Sequence, residues 1–244
     1  MIEVLNLAKH FGAVRALDGV SFSVRDGEIF GLLGPNGAGK TTALRLLSTV
    51  LSPTSGTAKV DGHDLLAEPA EVRAAIGILP EIWGLYGRLT ARENLRYYGR
   101  LHRMNGSALE QRIETVIAEL EMAEYADRRV EPFSRGMKQK VALGKALIHD
   151  PRTMLLDEPT AGLDIMSARI VRVLIERFRD QGRCVLLSTH LLGEAERLCH
   201  RIGVIRQGKL VAAGTPEELL SQTGCPSLEE AFVQLVGTPP EAVA

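Results

Sequence analysis

Apolar and polar positions alternate along this chain in a way that predicts both buried strands and amphipathic helices. Short apolar runs predict buried strands at Ile29–Leu33, Thr153–Asp157 and Cys184–Ser188. Between the second and third runs, apolar residues at helical spacing from Ile170 to Phe178 predict a helix that stops by Gly182. This strand, helix, strand order predicts right-handed crossovers in a parallel sheet, which binds ligands outside the carboxyl ends of its strands.

The flanking segments carry β-hairpin and capping patterns. Short strands are predicted before and after the first buried run, at Ile2–Leu5, Gly19–Val24 and Thr57–Val60. Arg201–Gln207 and Lys209–Ala213, separated by Gly208, predict a further hairpin. Thr215 and Ser227 each precede a glutamate by three residues, so two capping boxes and two short helices are expected near the C-terminus.

The middle of the chain has a helical texture with little strand signal. Apolar residues repeat at helical spacing at Leu109, Ile113, Val116, Ile117 and Leu120. We therefore predict a mostly helical subdomain over residues 85–149.

Composition limits the classes of function. The 244 residues carry 29 Lys and Arg against 30 Asp and Glu, which gives no support for a broad nucleic-acid-binding surface. Three irregularly spaced cysteines, Cys184, Cys199 and Cys225, argue against a disulfide framework and fit a reducing cytosol. No stretch approaches the ~18 consecutive apolar residues of a bilayer span, and the N-terminal residues lack a secretory signal pattern. We expect a membrane role to require recruitment by a partner.

A glycine-rich segment with a lysine follows the first buried strand and precedes a helical pattern. It satisfies G-x-x-x-x-G-K-[ST] with Gly34, Pro35, Asn36, Gly37, Ala38, Gly39, Lys40, Thr41 and Thr42. In that setting, backbone N–H groups and the positive end of the helix bind a polyphosphate. Lys40 is expected to reach the β- and γ-phosphates, and Thr41 to complete Mg²⁺ coordination. The strand before and the helix after disfavour the alternative of a glycine-rich turn with a chance lysine.

Two consecutive carboxylates, Asp157 and Glu158, end the strand that begins at Thr153. Adjacent residues leaving a strand point in different directions, so Asp157 is expected to hold Mg²⁺ or its water while Glu158 polarises an attacking water. Without the phosphate-binding segment, the same residues would predict only a polar strand end and a turn.

Five motifs in a fixed order together resemble an ATP-binding cassette, the nucleotide-binding subunit of ABC transporters. They are Gly34–Thr42, Ser134–Gln139, Leu155–Thr160, Ala161–Asp164 and Ser188–His190. The resemblance covers about residues 1–220. It implies an α/β fold with a P-loop NTPase parallel-sheet core, an N-terminal antiparallel β subdomain and an inserted helical subdomain.

The resemblance also implies a domain division. Residues 1–84 and 150–220 form the nucleotide-binding core, residues 85–149 the helical subdomain, and residues 221–244 a short C-terminal helix with a flexible tail. The cofactors it implies are ATP and Mg²⁺.

Further site residues are implied by the resemblance. Ser134 and Gly136 belong to the signature motif, which completes the ATP site of the opposite protomer in a head-to-tail dimer. Asp164 lies at the dimer seam, and His190 contacts the γ-phosphate. From the residues alone, Ser134 is a natural N-cap for the helical stretch from Met137 to Leu147, and His190 equally suits a capping or partly buried histidine.

One aromatic residue and two departures from the family pattern complete the candidate site. Phe11 either stacks on adenine or packs in the core. Glu81 stands where the family most often has glutamine, and its carboxylate still suits a Mg²⁺-bound water. Arg135 displaces the first glycine of the signature motif, so close backbone approach is kept only at Gly136. Similar variants occur in cassettes that resemble drug- and polysaccharide-type (ABC-2) exporters, which favours export over import.

The function that we infer is ATP hydrolysis by a transporter subunit on the cytoplasmic face of the cell membrane. Its expected partners are a transmembrane permease subunit and a second copy of itself or a homologous cassette, with no nucleic acid. The 52 residues between Glu81 and Ser134 lack the long heptads of DNA-repair and chromosome-structure ATPases, and translation-associated proteins carry two cassettes. The alternative is a soluble cassette ATPase that regulates a protein partner. Trp83 and Tyr86 either line a groove for the membrane subunit or pack in the subdomain core.

Overall fold

The computed structural model describes residues 1–237. Its strands are β1 Ile2–Phe11, β2 Val14–Val24, β3 Ile29–Leu33, β4 Ser55–Val60, β5 His63–Asp64, β6 Ile76–Leu79, β7 Thr153–Asp157, β8 Cys184–Thr189, β9 Arg201–Arg206 and β10 Lys209–Gly214. Its helices are α1 Lys40–Leu47, α2 Pro69–Ala75, α3 Ala91–Leu101, α4 Gly106–Glu119, α5 Arg135–Leu147, α6 Ile165–Asp180, α7 Leu192–Leu198, α8 Pro216–Thr223 and α9 Leu228–Val236.

A six-stranded sheet forms the centre of the molecule, in the order β10-β9-β3-β8-β7-β6. β9, β3, β8, β7 and β6 pair in parallel, and β10 joins as the antiparallel partner of β9. Every residue of β3, β7 and β8 is buried, because layers cover both faces of the sheet. Phe30 and Leu32 face α1 and the second sheet, whereas Ile29 and Leu33 face the helical layer. The predicted parallel core is confirmed, and its strands end at one edge.

The second sheet is antiparallel and has the strand order β2-β1-β4-β5. Strand β1 extends to Phe11, well beyond the predicted end at Leu5. Asn6 has a φ of 47°, and the register of β1 on β2 shifts between Val4 and Leu7. This bulge interrupts the alternation of apolar and polar residues, so the pattern ended before the strand did.

The sequence pattern gives no clear signal for β5, α2, β6 and α7, and it covers α3 only through the predicted helical segment of residues 85–149. β6 has only four residues and forms the edge of the main sheet beside β7. α3 begins with a full capping box between Thr90 and Glu93, a spacing that is visible in the sequence.

The helical segment packs onto the main sheet through a continuous core. Leu109, Ile113, Val116 and Ile117 of α4 are buried, as their spacing predicted. The same apolar cluster includes Leu79 of β6 and Leu156 of β7. The proposed division into residues 1–84, 85–149 and 150–220 stays a prediction.

The C-terminal helices differ in their caps. Thr215 and Glu218 form the predicted capping box. The box predicted at Ser227 is wrong: Ser227 accepts a hydrogen bond from the Glu230 N–H, but within residues 1–237 the Ser227 N–H makes no reciprocal bond to the Glu230 side chain. The predicted boundary at residue 220 lies within α8. The predicted tail of residues 238–244 lies outside the described residues. Of the helices found in residues 1–237, none has the length and apolar character needed to cross a bilayer.

A stacked histidine pair lies where α5 meets the edge of the main sheet. The rings of His102 and His149 are 3.6 Å apart and nearly parallel. His149 donates from Nε2 to the Ile76 carbonyl at 2.8 Å, since a carbonyl oxygen only accepts. Burial, reinforced by His102, lowers the pKa of His149 from 6.5 to about 4. The folded protein therefore holds this ring neutral.

From the burial of this histidine pair, we predict that the folded protein loses stability in mild acid. Below pH 6.5 His149 becomes protonated in the unfolded chain, whereas in the folded chain it stays neutral down to about pH 4. We expect the free energy of unfolding to fall across this window, by up to about 3 kcal/mol, and His149→Gln to flatten that part of the curve. Urea unfolding at several pH values measures it, with His63→Gln as the control. Equal pH slopes for wild type and His149→Gln would contradict the prediction.

Candidate functional site

The glycine-rich segment turns between β3 and α1 at the carboxyl edge of the main sheet. Gly39 is the N-cap of α1, and among residues 1–237 no side chain caps this helix, so its first N–H groups face the cleft in front of them. Gly37 and Gly39 have φ angles of 78° and 113°, a backbone conformation that residues with a side chain rarely adopt. A Cβ on Gly39 would lie 2.4 Å from the Ala16 carbonyl oxygen. The segment therefore presents bare backbone to a ligand.

Lys40 is buried at the floor of this segment, with 6% of its surface exposed. Its Nζ donates to the Gly34 carbonyl at 2.7 Å and to the Pro35 carbonyl at 3.3 Å. The same ammonium lies 3.4 Å from Oε1 of Glu158. This arrangement places one cation between the glycine-rich segment and the carboxylate at the end of β7.

Asp157 ends β7 and is almost fully buried. Its Oδ1 accepts from the Ser188 hydroxyl at 2.5 Å and from the Thr41 hydroxyl at 3.2 Å. Asp157 and Ser188 are register partners in β7 and β8, so the sheet itself fixes this contact. Two of the residues expected to hold Mg²⁺ thus lie in direct contact, although 116 residues separate them in the sequence.

Glu158 leaves the strand in an unusual backbone conformation, with a φ of 48°. Its N–H donates to the carbonyl and the hydroxyl of Ser188, at 3.2 and 3.1 Å. Its Oε2 lies 2.9 Å from Nδ1 of His190, and because a carboxylate only accepts, the ring nitrogen is the donor. Non-glycine residues held in the left-handed region cluster at functional sites, where surrounding contacts hold the strain.

These groups border one cleft of about 540 Å³. The lining comprises Val14, Arg15, Ala16, Asn36, Gly37, Ala38, Gly39, Lys40, Thr41, Thr42, Glu81, Trp83, Arg135, Asp157, Glu158, Ala161, His190 and Gln207. Glu81, two residues after β6, is exposed at its mouth. The structure thereby brings the glycine-rich segment, both carboxylates, Glu81 and His190 together.

The oxygen groups in the cleft fit a hard divalent cation. Thr41 and Asp157 lie in direct contact, and Glu81 opens to the same cleft. Within residues 1–237, no group of three or more His, Cys, Asp and Glu side chains is suited to hold a metal. A hydroxyl with one or two carboxylates instead suits Mg²⁺ that takes its other ligands from phosphate and water.

Ser134, Gly136 and Asp164 form a second group, which within residues 1–237 does not line that cleft. Ser134 caps α5 by accepting from the Met137 N–H at 3.3 Å, which confirms the predicted cap. Asp164 caps α6, and a hydrogen bond from the Ser167 hydroxyl, with backbone N–H bonds, lowers the pKa of its carboxyl. A Cβ on Gly136 would lie 2.7 Å from Oγ of Ser167, so the starts of the two helices adjoin.

The open alternatives for three aromatic residues are resolved in different ways. Phe11 is 47% exposed, so packing in the core is wrong for it, and it stays a candidate for stacking on a base. Tyr86 is likewise exposed, whereas Trp83 is half-buried against the core and borders the cleft. Core packing is therefore wrong for Tyr86, whereas Trp83 combines both alternatives, because its ring packs against the core and also borders the cleft.

Sequence reasoning missed two contributors to the site. Ser188, quoted only as part of a motif, holds both carboxylate residues: it donates to Asp157 and accepts from the Glu158 N–H. Gln139 is buried and donates from Nε2 to the Pro159 carbonyl, which links α5 to the turn after Glu158. Ser188 and Gln139 belong to the motifs Ser188–His190 and Ser134–Gln139, but their contacts depend on which strands and helices adjoin, so neither motif predicted them.

Comparisons with known proteins bear on the same residues. A protein-family model described as ABC transporter matches residues 17–161. The ABC transporter ATP-binding protein NatA of Bacillus subtilis (strain 168) is 42% identical over 238 residues, with 96% of this chain and 97% of the relative covered. The Nod factor export ATP-binding protein I of Paraburkholderia xenovorans (strain LB400) is 38% identical over 229 residues, with 93% and 75% covered.

Solved structures agree with the sequence comparisons. The ATP-binding subunit of an ABC transporter superimposes with a TM-score of 0.87 at 31% identity, over 96% of this chain and 99% of that one. A dimeric ATP-binding cassette in a post-hydrolysis state, bound to ADP and Pi, superimposes with a TM-score of 0.80 at 26% identity, over 88% and 98%.

Proposed function

The chain belongs to the ABC transporter family of ATP-binding subunits and is an ATPase, and from that premise we propose the roles of its residues. The observation that carries the proposal is the meeting of the glycine-rich segment, Lys40, Asp157, Glu158 and His190 around one cleft. Residues 36–42 of the glycine-rich segment border this cleft together with both carboxylates and His190, whereas Gly34 and Pro35 supply the carbonyls that Lys40 contacts. The geometry supports in-line attack of water on a bound γ-phosphate.

The glycine-rich segment would bind the phosphates through backbone N–H groups, and Lys40 would exchange its carbonyl partners for phosphate oxygens. Mg²⁺, held by Thr41 and Asp157 with Glu81 nearby, would neutralise charge on the phosphates. Glu158 would accept the proton of the attacking water. His190, which hydrogen-bonds Glu158, would hold that carboxylate and face the γ-phosphate.

The second group supports a site that two protomers share. Ser134, Gly136 and Asp164 adjoin one another at the starts of α5 and α6, outside the cleft lining within residues 1–237. A helix N-terminus attracts anions, and Ser134 is the N-cap of α5. We infer that this group closes over the nucleotide of a second copy in a head-to-tail dimer. Closure would complete the site, and product release would reopen it.

A membrane partner follows from the family and from relatives named as export proteins. We infer a subunit on the cytoplasmic face of a membrane that powers export through a separate permease. Tyr86, exposed beside Tyr97, lies on the surface of the helical segment and suits contact with such a partner.

Co-purification tests this proposal against a soluble ATPase that regulates a protein partner. A tagged chain expressed in its own cells and extracted in mild detergent is expected to retain a multi-span membrane protein in stoichiometric amount. A chain that remains wholly in the soluble fraction and retains only soluble partners would contradict the transport assignment.

A further inference from the structure

Arg135 occupies an unfavourable position that its side chain must compensate. It is the first residue of α5, where a cation meets the positive end of the helix. Its guanidinium extends away from the helix, donates from Nη2 to the Ala161 carbonyl at 2.8 Å and lies over the ring of Trp83, 5.8 Å from the ring centroid. Two contacts of different kinds therefore fix one exposed side chain.

Gly162 leaves the space that this guanidinium fills. Its φ is 68°, and a Cβ at that position would lie 2.8 Å from both Cζ and Nη1 of Arg135. The guanidinium thus lies against the backbone of the turn between Glu158 and α6 on one side. On the other side it contacts the aromatic ring that follows Glu81.

Trp83 is itself held firmly. Its carbonyl accepts from Nζ of Lys145 at 2.7 Å, and burial lowers the pKa of that ammonium. One residue later, the Gly84 carbonyl accepts from the hydroxyl of Tyr98 at 2.5 Å. Side chains of α3 and α5 therefore hold the backbone of the segment that carries Glu81. Arg135 links the same segment to the turn after β7.

Three segments that border the cleft meet at this one side chain: the segment after β6, the start of α5, and the turn after β7. We propose that Arg135 is a positioning residue for hydrolysis, which ties the Glu81 segment to the start of α5 so that nucleotide in one protomer sets the surface offered to the other. The inference rests on the proposed dimeric ATPase. It explains why an arginine is accommodated where the signature motif usually has glycine.

The chain contains a single tryptophan, so its fluorescence reports on this contact directly. In Arg135→Ala without nucleotide, we expect Trp83 emission to move to longer wavelength, because the ring loses its covering guanidinium. Arg128→Ala is the matched control: its exposed guanidinium lies 6.0 Å from the Phe133 ring centroid, outside the cleft lining. That variant should leave Trp83 emission unchanged.

The kinetic test separates positioning from phosphate contact. We expect Arg135→Ala to bind Mg-ATP with unchanged affinity and to lose about tenfold in kcat. Trp83→Phe, which keeps an aromatic face, should retain most of the rate, whereas Trp83→Leu should lose part of it, because Arg135 keeps its hydrogen bond to the Ala161 carbonyl. The double variant Arg135→Ala/Trp83→Leu should be no slower than Arg135→Ala, which already lacks the contact with the ring.

Several results would overturn the inference. Unchanged kcat and emission in Arg135→Ala would show that the contact does nothing, and a large loss of ATP affinity would place Arg135 on the phosphate instead. Equal rates for Trp83→Phe and Trp83→Leu would show that the aromatic face of residue 83 does not contribute to positioning. These outcomes leave the proposed function standing if the wild-type chain hydrolyses ATP; a wild-type chain without ATPase activity would contradict the proposed function itself.

Discussion

Glu158→Gln is expected to reduce steady-state ATP hydrolysis by at least about 100-fold while leaving ATP affinity within a few-fold of wild type. The amide keeps the size of the side chain and its hydrogen bond with His190, but it cannot take a proton from water. The left-handed backbone at residue 158 and its bonds to Ser188 involve main-chain atoms, so the change should leave the local fold intact. Phosphate release and equilibrium nucleotide binding measure the two quantities.

Glu194→Gln is the matched control for that variant. Both glutamates expose 15% of their side chains and pair with a basic group, but the partner of Glu194 is Arg172, away from the cleft. Glu194→Gln should hydrolyse ATP at close to the wild-type rate. A Glu158→Gln enzyme with near-normal turnover would remove Glu158 from the catalytic role.

Lys40→Ala is expected to weaken Mg-ATP binding by about 100-fold or more and thereby to abolish hydrolysis at ordinary ATP concentrations. The buried ammonium at the floor of the glycine-rich segment is positioned to meet the phosphates, and removing it also leaves Glu158 without its nearest cation. Calorimetric titration with ATP in the presence of Mg²⁺ measures the affinity.

A lysine of similar burial provides the control for this loss. Lys140 exposes 14% of its side chain, lies 3.7 Å from Glu121 and does not border the cleft. Lys140→Ala should bind ATP like wild type. If Lys40→Ala kept wild-type affinity with a normal melting temperature, the glycine-rich segment would not be the phosphate site.

Local chemistry made much of the fold and of the site predictable. The buried strands at Ile29, Thr153 and Cys184 were visible because apolar residues are continuous wherever both faces of a sheet are covered. The glycine-rich segment was visible because its function requires glycines and a lysine at fixed spacing. Asp157 and Glu158 were placed correctly at the edge of the sheet because Asp157 ends such a strand and Glu158 follows it.

The remaining features depend on which segments meet in three dimensions. The role of Ser188 follows from its register opposite Asp157, and nothing along the chain encodes that pairing locally. Trp83 stayed open between a groove and the core because part of its cover, Arg135, lies 52 residues away in the sequence. The bulge at Asn6 interrupts the alternation of apolar and polar residues, so the part of β1 after it was not predicted. Pairing with the neighbouring strands stabilises that part of β1.

Mixing two inactive variants tests most directly the claim that two copies share each site. Lys40→Ala damages the phosphate segment and keeps Ser134 and Gly136 intact, whereas Gly136→Asp puts a negative charge at the start of α5 and keeps the phosphate segment intact. In a head-to-tail dimer, the mixed pair contains one complete site. We expect the mixture to show ATPase activity on the order of a quarter of wild type, because half of the dimers form with one complete site each. A mixture no more active than the sum of its two components would contradict it.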